Sequence, residues 1–231
     1  MSKVLHFSII IIALLSAYGH SKEKVEIAFT DIVHATAGFY IDEIEQIYKN
    51  IGTEPIISVY PDQRVTYLFE LGKIDALGEE LGIYESQNPT AIKINVPILD
   101  SLPFMLFVLK DKKKSVDKLE EPFVLSTINC LGCKEFARIH NIKISAYVTN
   151  LQSGLQMIQM GRADLIISAS LLMHRVAEGK QFTPFNNLKF TPKIYHFISR
   201  KKEHLKERLT KEILKSKKRG AFDITKVRYK K

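Results

Sequence analysis

Two segments far apart in the chain repeat one pattern. Residues 68–77, LFELGKIDAL, run from an apolar helical stripe through Gly72 and Lys73 to Asp75 and an apolar strand. Residues 157–168, MIQMGRADLIIS, do the same through Gly161, Arg162 and Asp164. Glycine ends a helix in the left-handed conformation without a Cβ penalty. The basic residue after it complements the negative end of the helix dipole. Each Asp is expected to hydrogen-bond nearby loop amides and fix the turn into a buried strand. A chain that makes this turn twice is built from two α/β units.

The flanking patterns agree. In the first unit, KVEIAFTD (24–31) alternates as a strand, and TAGFYIDEIEQIYKNIG (36–52) is an amphipathic helix with Tyr40, Ile44, Ile47, Tyr48 and Ile51 on one face. EPIISVYP (54–61) is a second strand, its Pro opening the next helix. The repeated turn feeds a third strand, and residues 91–98 and 103–111 add two more. The second unit runs strand (122–129), helix from Cys133, strand (143–149), helix (151–160) and strand (162–170). A strand at 193–201, a long basic helix and a short tail complete the chain. Two β-α-β-α-β runs define an α/β fold of mixed, mostly parallel sheets with flanking helices.

The N-terminus points to export. Lys3, the apolar run Phe7–Leu15 and the small residues Ser16, Ala17 and Gly19 have the layout of a cleaved signal peptide, taken here as residues 1–19. No cysteine directly follows that run, so a lipid anchor is not expected, and roughly 210 residues remain for one large or two small cores. Hydrophobic residues make up 45% and charged residues 26%, a globular balance rather than a disordered one. The net charge of +9 invites a nucleic-acid reading. The excess lies in KDKKK (110–114) and in a C-terminal helix interleaved with Glu, and export argues against nucleic acid. A solvated face, or attraction to anionic ligands or to a membrane surface, is the better use of it.

With R…L…GKIDA in the first unit, L…GRADLI in the second, SRKKEH at 199–204 and GAF at 220–222, the chain resembles the periplasmic solute-binding proteins of the amino-acid-binding type (bacterial extracellular solute-binding family 3, type II periplasmic-binding fold). The resemblance spans the mature chain. It implies two lobes, residues 20–103 plus 194–231 and residues 104–193, and a hinge of two crossing segments near Leu102–Phe104 and Thr191–Tyr195. A periplasmic monomer that captures a small polar solute for an inner-membrane permease or a sensor is the expected role, with no cofactor and no metal. Two departures bear on the ligand. Members that bind α-amino acids carry an Arg soon after the first-lobe strand, yet LGEELGIYESQNPTAIK has none. They also place an Asp after the second-lobe strand, where Ser168, Ala169 and Ser170 stand here. Both ends of the usual amino-acid grip are missing.

Open α/β sheets present ligands to the loops at the carboxyl ends of their strands. That rule selects Thr30, Asp31 and His34 after the first strand, and Glu79, Glu80 and then Tyr84 after the third. In the second unit it selects Thr127, Asn129, Cys130, Ser168 and Ser170. Three carboxylates and several hydroxyls suit an amine, a cationic peptide fragment or a polyol. Cys130 and Cys133, the only cysteines, form a C-x-x-C pair that an oxidising compartment turns into a local disulfide. A redox-active turn and a metal site completed by His34 or His140 remain alternatives. A dehydratase on the same fold would use Glu79, Glu80 and His34 as acid and base. Its acid substrate would want a cationic grip that the set lacks, and neighbouring Glu residues of an extended strand point to opposite faces.

Overall fold

The computed structural model describes residues 21–128, 130–176 and 181–223. The segment read as a signal peptide, and Asn129, lie outside the described residues. Ten strands form two five-stranded sheets. The first lobe contains β1 (Lys24–Thr30), α1 (Asp31–Asn50), β2 (Glu54–Tyr60), α2 (Asp62–Glu70), β3 (Ala76–Leu81), α3 (Tyr84–Gln87) and β4 (Ala91–Lys93). The second contains β5 (Phe104–Leu109), α4 (Lys113–Val116), β6 (Val124–Thr127), α5 (Leu131–Ile139), β7 (Ala146–Val148), α6 (Leu151–Gln159), β8 (Leu165–Ala169), α7 (Ser170–Val176) and β9 (Phe182–Pro184). The chain then returns to the first lobe with β10 (Ile194–Ser199) and α8 (Lys206–Lys218). Strand orders are β2-β1-β3-β10-β4 and β7-β6-β8-β5-β9. Each sheet has a parallel half, made by its β-α-β-α-β unit, and an antiparallel half.

The helix stripe read from the sequence is the buried face of α1: Tyr40, Ile44, Ile47, Tyr48 and Ile51 are all in the core. The helix starts earlier than that stripe. Thr30 is its N-cap, accepting from the Val33 amide at 3.3 Å, so Asp31 and His34 belong to the helix rather than to a loop, ahead of a kink at Ala37. The glycine turns are as expected. Gly72 and Gly161 have φ of 66° and 70°, and the amides of Lys73 and Arg162 each reach back 2.9 Å to the carbonyl five residues earlier.

The two Asp residues act differently from the expectation. They bridge to the neighbouring strand instead of tying down their own loop. The Asp75 amide donates to the Glu26 carbonyl (2.9 Å), and the Asp75 carboxylate accepts from the Glu26 amide (3.0 Å). In the second lobe Asp164 forms the same two bonds with Phe123, at 3.0 and 2.7 Å. Each Asp occupies both backbone groups of one residue at the entrance of the central strand. Asp75 has a further partner in Lys202, at 3.6 Å.

Between the sheets the chain crosses twice, and the crossings run antiparallel with backbone bonds between them. The Leu102 amide donates to the Pro192 carbonyl, and Phe104 and Phe190 exchange bonds of 2.8 and 3.1 Å. Behind this ribbon, β10 buries His196 completely. Its Nδ1 faces the Gly78 carbonyl at 3.2 Å, so that nitrogen donates and Nε2 accepts from the Tyr48 hydroxyl at 2.8 Å. Burial lowers the His196 pKa to about 4, which keeps the ring neutral. Among the described residues, no helix is long and apolar enough to cross a membrane.

The clamps set a testable ranking. Removing either carboxylate leaves a strand amide without its acceptor, costing about 1–3 kcal/mol. D75A, which also removes one of the carboxylates beside Lys202 and leaves it Glu23 and the Lys24 carbonyl, should cost more than D164A, and D164N, which keeps an acceptor oxygen, should cost least. Urea unfolding monitored by circular dichroism gives the order.

Candidate functional site

A cavity of about 450 Å³ lies between the lobes, lined from both sheets. Its first-lobe wall is made where strands end and helices begin: Thr30 and Asp31 from the β1–α1 junction, Pro61, Asp62 and Gln63 from the start of α2, and Glu79 and Glu80 from the end of β3. The second lobe contributes Thr127 and Cys130 after β6, and Thr149 and Asn150 after β7. The crossing segments add Ile98, Leu99, Leu102 and Phe104, and Leu171 and Leu172 of α7 close an apolar side. Gly132 permits this closure, because a Cβ there would meet the Phe104 ring at 2.2 Å.

The register explains why the carboxylates converge. Parallel pairing sets Ile27 against Ala76 and Ala28 against Leu77, which brings Glu79 level with Thr30. The Thr30 hydroxyl bonds to the Glu79 carboxyl. Glu79 Oε2 is buried and has no hydrogen-bond partner among the described residues. Glu80 Oε1 accepts from its neighbour's amide, Leu81 N–H, at 2.7 Å. Both glutamates line the cavity, and Glu80 alone also lines the neighbouring side pocket.

Burial, then repulsion from Glu80 and Asp62, raises the Glu79 pKa well above the usual carboxylate range, against the Thr30 bond. Burial is also the main cause at Glu80, pushed up to about 7, with the Leu81 amide opposing and Asp62 adding to the rise. Asp62 is raised to about 6 by burial and by Asp31, partly offset by Lys134. Tyr40 of α1, also in the lining, is raised as well, by burial and then by Glu79 and Asp223. This wall holds protons at neutral pH that free carboxylic acids would release.

Of the residues selected from the sequence, Asp31, Glu79, Glu80, Thr127 and Cys130 line this cavity together. His34 is exposed on α1 and is not part of the lining. Tyr84 is buried, its hydroxyl accepting from Asn88 at 2.9 Å, and it faces a side pocket of about 370 Å³ that shares Glu80 with the main cavity. Ser168 is buried in β8 against the Ala169 carbonyl, and Ser170 opens α7 with its amide on Pro103; neither lines the cavity. Asn129 lies outside the described residues. The Cys130 and Cys133 sulfurs are at disulfide distance, with Cα atoms 5.1 Å apart at the start of α5. No group of three His, Cys, Asp or Glu that could hold a metal ion occurs among the described residues. Asp62, Gln63, Thr149 and Asn150 were not selected, although the strand-end rule points to them once β2 and β7 are treated like the other strands.

The fold is that of the two-lobed, type II periplasmic-binding proteins. The P235GK mutant of ArgBP from T. maritima superposes with a TM-score of 0.70 at 16% identity, covering 92% of this chain and 96% of that one. The amino acid ABC transporter substrate-binding protein AbpA from Streptococcus pneumoniae, bound to L-arginine, gives 0.70 at 16% identity, over 87% and 91%. The GluR0 ligand-binding core from Nostoc punctiforme, in complex with (L)-glutamate, gives 0.68 at 17% identity, over 86% and 95%. At these identities the likeness is one of fold. No protein-family model and no curated protein matches the sequence.

The raised carboxylates make stability depend on pH with a definite sign. Glu80 holds its proton to about pH 7 when folded but releases it near 4.5 when unfolded. Its contribution is therefore complete below pH 4.5 and lost as the pH rises through 7. His196 works in the opposite sense, losing its contribution as the pH falls from 6.5 towards 4. Comparing E80Q with the parent cancels the histidine. E80Q should gain about 2–3 kcal/mol relative to the parent between about pH 4.5 and pH 8, read by urea unfolding at each pH.

Proposed function

We propose that this chain is an exported solute-binding protein. It captures a small polar molecule in the interlobe cavity and delivers it to an inner-membrane permease or a sensor. The observation that carries the reading is the cavity itself. It has the volume of a small-molecule site, an apolar lining with a few convergent polar groups, and walls contributed by both lobes. Residues 20–103 with 194–231 form one moving body and residues 104–193 the other. The hydrogen-bonded ribbon at Leu102–Phe104 and Phe190–Ile194 is the hinge. Closure lets a ligand touch strand ends of both sheets at once. The leader at residues 1–19 sends the chain to the periplasm, where Cys130 and Cys133 form a local disulfide and the protein works as a monomer.

The solute is not a standard α-amino acid. No Arg, Lys or His lines the cavity among the described residues, while Asp31, Asp62, Glu79 and Glu80 all do. The site does not turn its ligand over. The raised carboxylates give Glu80 a proton to donate, but an acid substrate finds no cationic side chain beside them.

Thermal melting of the refolded chain against amino acids, amines, organic acids and sugars tests the reading. A solute at a hundredfold excess over its dissociation constant should add about 2.7 kcal/mol of stability and be recovered unchanged. If no compound shifts the melt, the solute-binding reading fails.

A further inference from the structure

We infer that the cavity seats an organic amine, a primary or secondary ammonium on an apolar body without a carboxylate of its own, against Asp31, Asp62, Glu79 and Glu80. The inference rests on the solute-binding reading above and gives its ligand a chemical class.

The first-lobe wall sets the charge of the ligand. Four carboxyl groups from three separate junctions meet there, and no basic side chain lines the cavity among the described residues. Lys134 of the second lobe opposes Asp62, but it is exposed and faces the side pocket. Such a wall is costly to ionise without a cation, and a bound ammonium supplies one. Glu79 Oε2 sets the donor requirement. Once Glu79 has ionised against a cation, Oε2 is a buried acceptor without a partner among the described residues, so it then calls for an N–H and not for charge alone. A quaternary ammonium has no N–H to give.

The rest of the cavity sets the body. Ile98, Leu99, Leu102, Phe104, Leu171 and Leu172 present apolar surface opposite the carboxyl groups. A ligand carboxylate would have to rest on helix starts of the second lobe, where capping side chains are already engaged. Cys130 Sγ accepts from the Cys133 amide at 3.1 Å, and Asn150 Oδ1 from the Ser153 amide at 2.9 Å. Thr127 and Thr149 offer hydroxyls there, enough for a neutral polar tip.

Protons follow from the same geometry. The groups facing the ammonium are Asp31, Asp62, Glu79, Glu80 and Tyr40, with Lys134 behind Asp62. Glu79, held well above the usual carboxylate range, and Glu80 and Asp62, raised to about 7 and about 6, ionise to meet the cation. Amine binding therefore releases protons and weakens in acid.

Calorimetry with three matched pairs tests this: tyramine with tyrosine, phenethylamine with phenylalanine, and cadaverine with lysine. At about pH 8 the amine of at least one pair should bind about tenfold or more tightly than its amino acid, and lose about tenfold by pH 5.5. E79Q should lose that affinity while still unfolding cooperatively. If the amino acid is preferred in every pair, or amine binding ignores both pH and E79Q, the amine inference is overturned and the solute-binding reading stands. It is also overturned, with that reading intact, if all six fail while a sugar or organic acid from the wider panel binds. If nothing in either set binds, both fall.

Discussion

One carboxylate and one amide, paired twice, set the alignment on which the site depends. Asp75 takes both backbone groups of Glu26, and Asp164 takes both of Phe123. A parallel pair slipped by one residue would turn every side chain to the opposite face. With the bond made at the entrance of the central strand, the exit is determined four residues on. In the first lobe that exit brings Glu79 beside Thr30; in the second, the pairing of Val124 with Leu165 brings Thr127 level with Ser168. The clamp is at the far end of each sheet from the cavity, yet it decides which residues reach it.

That dependence explains what could be read from the sequence. The glycine turns and the α1 stripe are local patterns with one physical solution each, and they define both lobes. The strand-end rule reached Asp31, Glu79, Glu80, Thr127 and Cys130, whose junctions follow unmistakable strands. It missed Asp62 because Pro61-Asp62 reads first as a helix start, and Asn150 because β7 is only three residues long. Ser168 was selected one pleat wrong for the cavity, since the exit of β8 buries it against β5. His196 carried no signal. Its partner, the Tyr48 hydroxyl, is 148 positions away and comes into reach only when β10 joins the first sheet.

The carboxyl wall costs the fold stability. Grouping Asp62, Glu79 and Glu80 raises their proton affinities, and leaving Glu79 Oε2 without a donor is the arrangement a stable core avoids. Around it the fold is largely consistent, with a neutral buried histidine that engages both nitrogens and apolar clusters packed in both lobes; Ser199 Oγ is the other buried polar atom without a partner among the described residues. Local disagreement within an otherwise consistent structure is what a binding surface looks like.

The place of β10 has a consequence for how the molecule comes to exist. The second sheet is formed by segments between Phe104 and Pro184, so that half can assemble as soon as its own residues are made. The other half cannot. Among the described residues β10 is the only strand paired with β4 and is the second neighbour of β3, yet it is made more than a hundred residues after them. Until it arrives, the glutamate-bearing strand has an open edge. The first half to be synthesised is the last to be finished, and it holds the acidic wall.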